Sequence, residues 1–276
     1  MADHPSPIAA SRQLSLAEIA ARHSCDKGYH GPSARWNGNN YAATYEAYLH
    51  DRREEPLSLL EIGLGVTGPN WRADIVHGSN AQGGASMKMW ADYLPNARIT
   101  GLNINPATFL DTDRITTYQA DQGSRESLAA FLDRHPEPQF DIIIDDGSHR
   151  PDHQQITLET LWPHLKSGGT YFIEDLSDFG HGARQGSRHG SDAAVPTRAL
   201  FKRYARTGEV REPNAFETTG FLSEIADILF YAPRPLLRAR DAAIEALRIA
   251  LGRSPKGMSR LEWADDSEQM VAIRKR

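Results

Sequence analysis

Phe140 to His149 reads FDIIIDDGSH: a β-branched run, Ile142-Ile143-Ile144, is led in by Asp141 and stopped by two carboxylates, a glycine, a serine and a histidine. A run apolar on both faces predicts a central strand of a parallel sheet with helices packed on each side. Asp145, Asp146 and His149 then fall just past its carboxyl end, the edge on which open α/β sheets bind their ligands. The competing reading of DDGS is a polar turn that caps the next helix, a role Asp and Ser often fill. The rest of the chain has to decide between them.

Residues 1–13 are polar and proline-bearing, which predicts a disordered tail. In SLAEIAARH, Ser15 caps a helix and Glu18 completes a capping box. A polar, aromatic, glycine-bearing loop over 24–40 leads to a helix on which Tyr41, Tyr45 and Tyr48 share one face, read as core packing. Residues 14–55 thus form an amino-terminal helical segment. The sheet domain is expected over 56–276.

LSLLEIGLG, Leu57 to Gly65, predicts the first strand running into a glycine turn, with Glu61 at its end and Gly63 and Gly65 allowing close backbone approach to a ligand. The polar stretch 66–82 predicts a loop insertion, and Gly83 to Leu94 a helix whose amino terminus points back at the turn, with Ser86 in its first residues. ARITGLNIN supplies a second strand ending at Asn103 and Asn105, and RITTYQADQ a third ending at Asp121 and Gln122. A helix near 127–132, the central strand, a helix over about 152–165 with a KSGG turn, and the strand TYFIEDL ending at Glu174 and Asp175 follow. Repeated strand and helix alternation implies a doubly wound sheet. Residues 177–220, rich in Gly, Arg, Ser and His, predict a lid or a disordered insertion, with one helix near 196–206. FLSEIADILFYA is open between strand and helix, RARDAAIEALRIAL predicts a helix, and 259–276 predicts an antiparallel hairpin closing one sheet edge.

With a formal charge of −5, the 276-residue chain gives no general reason to expect a polyanionic partner, so nucleic acid is not expected as a target. A single cysteine, Cys25, excludes an internal disulfide framework. The start of the chain lacks an apolar signal core and no stretch approaches the roughly 20 apolar residues of a membrane helix, so a soluble cytoplasmic protein without a membrane partner is expected.

LLEIGLG, GGASMKMW, GLNI, ADQ, FDIIIDDGSH and LKSGGTYFIEDL, in this order, resemble the macrocin and mycinamicin sugar O-methyltransferase family. HSCDKGYHG followed by YAATYEAYL looks like that family's amino-terminal segment. DDGSH paired with FIEDL is the specific part of the resemblance, which covers roughly residues 15–178. It implies an α/β fold: a doubly wound, Rossmann-like seven-stranded sheet with an antiparallel terminal strand. It also implies S-adenosylmethionine as cofactor, Mg²⁺ or Mn²⁺ as metal, a glycosylated natural product as substrate and transfer of a methyl group to a sugar hydroxyl; a homo-oligomer is compatible with it. By resemblance Asp146, Glu174 and Asp175 are the metal ligands and His149 the general base, with Asp146 also in the catalytic set. Glu61, Gly63, Gly65, Ser86, Asn103, Asp121 and Gln122 are the expected cofactor-pocket residues. Asn103 stands where the family usually carries an acid for the ribose hydroxyls, which leaves a neutral hydrogen-bonding group there.

The chemistry agrees with the residues. A sugar hydroxyl is a poor nucleophile at neutral pH, and a carboxylate-held hard cation together with a histidine that accepts its proton would activate it. Nothing basic lies near Asp146 or Asp175 in sequence to neutralise them, which also points to a cation. Because neighbouring residues on a regular strand face opposite ways, Glu174 and Asp175 can both reach one point only if alternation breaks there. Asp145 reads as a structural or helix-capping carboxylate, and Trp90 and Trp162 as core. The alternatives are a metal-dependent hydrolase using the same acids, a catalytically inactive cofactor-binding accessory protein, and a nicotinamide oxidoreductase. The last lacks its fingerprint, since EIGLGVTG has the third glycine one position early.

Overall fold

The computed structural model describes residues 13–28, 41–67, 82–176, 195–210, 216–231 and 269–276. The expected disordered tail, most of the 24–40 and 66–82 loops, residues 177–194 of the lid, the helix expected over 238–251 and the first half of the closing hairpin lie outside the described residues.

Seven strands form one sheet in the order β3-β2-β1-β4-β5-β7-β6. They are β1 (Ser58–Ile62), β2 (Arg98–Asn103), β3 (Ile115–Gln119), β4 (Phe140–Asp145), β5 (Leu165–Ile173), β6 (Ile225–Tyr231) and β7 (Met270–Lys275). The first five pair in parallel. β7 runs antiparallel between β5 and β6, which corrects its expected place in an edge hairpin. Both of its sides are hydrogen-bonded, so the edge falls to β6, and FLSEIADILFYA resolves as a strand after a short 3₁₀ turn.

The apolar runs bury as their alternation requires. Leu59, Ile142, Ile144 and Phe172 join a core with α1 (Leu16–Arg22), α2 (Ala42–Leu49) and α3 (Ala85–Tyr93). Leu60, Ile143, Tyr171 and Ile173 face the opposite layer, with α4 (Arg125–Arg134), α5 (Pro151–Leu161) and α6 (Thr197–Thr207). Trp90 and Trp162 are buried core, one in each layer. The capping box forms: Ser15 Oγ accepts from Glu18 N, and the Glu18 carboxylate accepts from Ser15 N.

Two boundaries differ from expectation for local reasons. KSGG is not a turn before the fifth strand but part of β5: Phe140 pairs with Leu165 and Ile142 with Thr170, so the extra residues bulge around Gly168, whose φ is +77°. β3 stops at Gln119, because Asp121 and Gln122 turn into the start of α4, where Ser124 accepts from Ser127 N as its cap.

The sheet brings its loops into one rank. Ile62 is level with Leu102 and Asp145, and Asp145 is level with Ile173. The ladder continues past the strand ends through Gly63 N to Leu102 O, Asp146 N to Ile62 O and Glu174 N to Asp145 O, each 2.9 Å. At Gly63, φ is +87° and a Cβ would lie 2.0 Å from the Asp146 carbonyl oxygen. The first glycine of the turn is therefore required by packing against the DDGS turn as well as by its conformation. Gly63→Ala is expected to cost about 3 kcal/mol or more, from strain plus overpacking, measured as a fall in the urea midpoint. A loss below 0.5 kcal/mol, on the order of an ordinary surface change, would contradict this contact.

Candidate active site

Asp146, His149 and Asp175 each offer a ligand atom within 4.8 Å of the others, the one group among the described residues arranged to hold a metal ion. Their convergence depends on two left-handed residues. His149 has φ +59° and Asp175 φ +49°, conformations that non-glycine residues adopt at a cost on the order of 1–3 kcal/mol and that gather at functional sites. The reversal at Asp175 supplies the break in alternation that the sequence required, since β5 ends at Ile173 and both acids follow it. His149 Nε2 lies 3.9 Å from Asp175 Oδ2, and Tyr41 donates its hydroxyl to Asp175 Oδ1 at 2.6 Å.

Glu174 takes a different position from the one expected by resemblance. The structure does not bring it into the three-residue group; its Oε1 accepts from Lys27 Nζ at 2.7 Å and from the Tyr45 hydroxyl, and the side chain is fully buried. Among the described residues its buried Oε2 has no hydrogen-bond partner.

Lys27 is the residue that sequence reasoning missed. Its ammonium, fully buried, lies 2.6 Å from Asp146 Oδ2, 2.7 Å from Glu174 Oε1 and 3.2 Å from Glu61 Oε1. The lack of a basic neighbour in sequence does not leave Asp146 without a cationic partner, because the charge arrives from 119 positions away. Its signal was present in HSCDKGYHG, a stretch noticed for resemblance alone. The tyrosine face of α2 was likewise only half read: Tyr41 and Tyr45 are buried, and their hydroxyls reach the acids after β5.

One ammonium does not balance these acids. Burial opposes the charge on Lys27, yet Asp146, Glu174 and Glu61 outweigh it and hold its pKa well above the usual lysine value. Burial pushes Asp146 up to about 7 against the pull of Lys27, and burial together with Asp146 pushes Glu174 well above the carboxylate range. Acids held this way are short of positive charge, which a divalent ion would supply. The carboxylate oxygens of Asp146 and Asp175 suit a hard ion such as Mg²⁺ or Mn²⁺, with His149 beside them, so the residues present fit the expected metal.

The residues expected around the cofactor divide into two kinds. Glu61 is buried at the foot of the glycine turn, held by Trp90 Nε1 at 3.1 Å and by the Ser86 hydroxyl. Gly63 and Gly65 have φ of +87° and +64°, and a Cβ on Gly83 would lie 2.5 Å from the Gly65 carbonyl, so turn and helix start meet backbone to backbone. Exposed Ile104 and Phe109 put apolar surface beside the end of β2, and exposed Asp121 takes one hydrogen bond at Oδ1 from Gly123 N. These features fit a nucleoside with a polar tail.

Asn103 and Gln122 are braces in this structure. Asn103 Oδ1 accepts from Leu64 N, and its Nδ2 donates to Val66 O and Asn105 O. Gln122 donates to Asp145 Oδ1 at 3.0 Å and accepts from Ser148 N at 2.6 Å, tying the end of β3 to the DDGS turn. Asp145, whose pKa burial pushes up to about 6, faces the α4–α5 layer, which agrees with its reading as structural.

No protein-family model matches the chain. The fold is that of a class I, Rossmann-like methyltransferase. MycE methyltransferase from the mycinamycin biosynthetic pathway, solved in complex with Mg, SAH and mycinamycin VI, superposes with a TM-score of 0.62 at 24% identity, over 96% of this chain and 55% of that one. In sequence the chain is similar to sugar O-methyltransferases of the macrocin and mycinamicin kind. It is 38% identical over 168 residues to the 8-demethyl-8-(2-methoxy-alpha-L-rhamnosyl)-tetracenomycin-C 3'-O-methyltransferase of Streptomyces olivaceus, 61% of this chain and 38% of the relative. It is 34% identical over 168 residues to the mycinamicin VI 2''-O-methyltransferase of Micromonospora griseorubida, covering 60% and 37%. To the demethylmacrocin O-methyltransferase of Streptomyces fradiae it is 35% identical over 167 residues, again covering 60% and 37%. The chain thus spans well under half the length of the curated relatives it matches.

Proposed function

We propose that this protein is an S-adenosylmethionine- and divalent-metal-dependent O-methyltransferase that methylates a sugar hydroxyl of a glycosylated small molecule. The observation that carries the reading is the convergence of Asp146, His149 and Asp175 at the ligand edge of a class I methyltransferase sheet. The names of the relatives, O-methyltransferases of rhamnosyl-tetracenomycin, mycinamicin VI and demethylmacrocin, support the choice of acceptor. Glu61 and the Gly63–Gly65 turn would hold the methionine end of the cofactor, and Asp121 with the surface near Ile104 would hold its adenosine. Asn103 and Gln122 hold the loops that form this pocket.

Asp146 and Asp175 would hold the metal, and Glu174, outside their group in this structure, would join them through Oε2. Bound there, a divalent ion supplies Lewis acidity that lowers the pKa of the acceptor hydroxyl. His149 accepts the hydroxyl proton, and Asp175, 3.9 Å from its Nε2, stabilises the imidazolium that results. Bound S-adenosylmethionine would supply the methyl group, its carbon–sulfur bond breaking as the bond to the hydroxyl oxygen forms, with the electron pair going to sulfur.

Incubating the protein with labelled S-adenosylmethionine and a panel of glycosylated natural products tests the reading. Label is expected in a sugar methyl ether. Dialysis against EDTA is expected to abolish turnover and added Mg²⁺ or Mn²⁺ to restore it, while cofactor affinity changes by less than about tenfold, the span of 1.4 kcal/mol. Failure to bind S-adenosylmethionine at millimolar concentration would sink the proposal. Full activity after EDTA would give the carboxylates another role. Metal-dependent hydrolysis of the panel without label transfer would favour the hydrolase reading, since the same acids could activate water.

A further inference from the structure

The ammonium of Lys27 has three N–H donors and faces three carboxylates, one from each of the loops or strand ends at β1, β4 and β5. Its backbone is fixed from both sides: Lys27 O accepts from Ala42 N at 2.8 Å at the head of α2, and a Cβ on the following Gly28 would lie 2.8 Å from Ala20 Cβ of α1. The amino-terminal segment therefore presents one charge, in one place, to the whole ligand edge. Glu61 belongs to the cofactor side of that edge and Asp146 to the metal side. Glu61 is outside the group able to hold an ion and Asp146 is within it, yet both share the same ammonium.

We propose that Lys27 is a positioning residue that sets the strength of the cation site by dividing its charge between Glu61, Glu174 and Asp146. The proposal rests on the metal-dependent reading given above. Its physical content is competition. Each carboxylate that engages Lys27 draws it away from the other two, and whatever pull remains on Asp146 is pull that a divalent ion must share. Removing the charge of Glu61 leaves the ammonium to Asp146 and Glu174, lowers the surplus of negative charge and weakens divalent binding, although Glu61 touches no ion. Among the described residues, Glu174 Oε2 and Glu61 Oε1 are buried without a hydrogen-bond partner, Glu61 Oε1 lying 3.2 Å from the ammonium that hydrogen-bonds Asp146 and Glu174, which marks where one ammonium leaves these carboxylates half-satisfied.

The test is Mn²⁺ binding to the full chain without cofactor, followed by electron paramagnetic resonance and by calorimetry at fixed pH. Near-UV circular dichroism checks the fold of each variant. Wild type is expected to bind Mn²⁺, and the isosteric Glu61→Gln to bind it roughly tenfold more weakly, a coupling typical of linked sites. Trp90→Phe is the control, because it removes the Trp90 Nε1 hydrogen bond to Glu61 and leaves every charge in place. It is expected to stay within about twofold of wild type, since a rearranged neutral contact transmits little Coulomb energy. Mn²⁺ affinity unchanged in Glu61→Gln would overturn the role of Lys27 while leaving the metal reading intact. Equal losses in Glu61→Gln and Trp90→Phe would overturn it too, in favour of simple packing. No Mn²⁺ binding by wild type would overturn the metal reading, and this proposal with it.

Discussion

His149→Ala is expected to lower the rate of methyl transfer roughly 10²- to 10⁴-fold, the usual contribution of a positioned general base, with cofactor and metal affinity little changed. The expectation rests on geometry. His149 is held at φ +59°, with Nε2 3.9 Å from Asp175 Oδ2, next to the acids that would bind the metal. Such a residue is in place for the proton of an acceptor bound to the same metal. Single-turnover rates with saturating cofactor and acceptor would measure the chemical step separately from binding. A loss under threefold would make His149 a structural residue. A loss that appears wholly as weaker metal binding would make it a ligand.

Lys27→Met is expected to cost about 3–5 kcal/mol of folding stability at neutral pH, because it removes one partner of a buried ionic cluster and leaves three carboxylates without compensation. The cost should depend on pH with a definite sign. Asp146 and Glu174 already have folded-state pKa values raised by burial, Asp146 to about 7, so they bind protons more tightly folded than unfolded. Losing Lys27 raises them further, so the penalty grows as pH rises through the folded values, from about 7 upward for Asp146, and levels off below them, where both proteins carry these acids protonated. Urea unfolding of both proteins between pH 5 and 8 would show it. A gap under 1 kcal/mol, or one that widens on acidification, would mean that the acids are neutralised without Lys27. Hydrophobic substitution of a complete buried ion cluster is often harmless, so removing Lys27 together with two acids should recover much of the loss.

Much of the architecture could be read locally. β-branched runs of strand length, helices with capping residues and turns with glycine are signals within ten residues of one another, which is why β1 to β5 and the capping box at Ser15 and Glu18 were legible. The parallel order places the strand ends together, and with the family resemblance it nominates Asp146, Glu174 and Asp175 for a metal and His149 for a base, whereas the structure groups Asp146, His149 and Asp175. Where the two acids after Ile173 point was not legible, since Glu174 turns to Lys27 and Tyr45 while Asp175 lies by His149 and Tyr41.

Direction and partnership were not legible, because they depend on residues far apart in the chain and on the sign of single dihedrals. Whether His149 and Asp175 meet is decided by two positive φ values, which Asp and His adopt more readily than most non-glycine residues but which neither residue dictates. Asn103 and Gln122 have side chains suited to a ligand, yet they face backbone from neighbouring loops, and only the register of β2 with β3 and of β1 with β4 determines that. β7 alternates as an edge hairpin strand would; its place between β5 and β6 comes from pairing on both sides. Lys27 shows the division most clearly. The sequence determines a lysine in a glycine-bearing loop, where solvent exposure is the default. Packing of α1 and α2 on the sheet buries it among Glu61, Asp146 and Glu174, since only tertiary contact can offset the cost of taking an ammonium out of water.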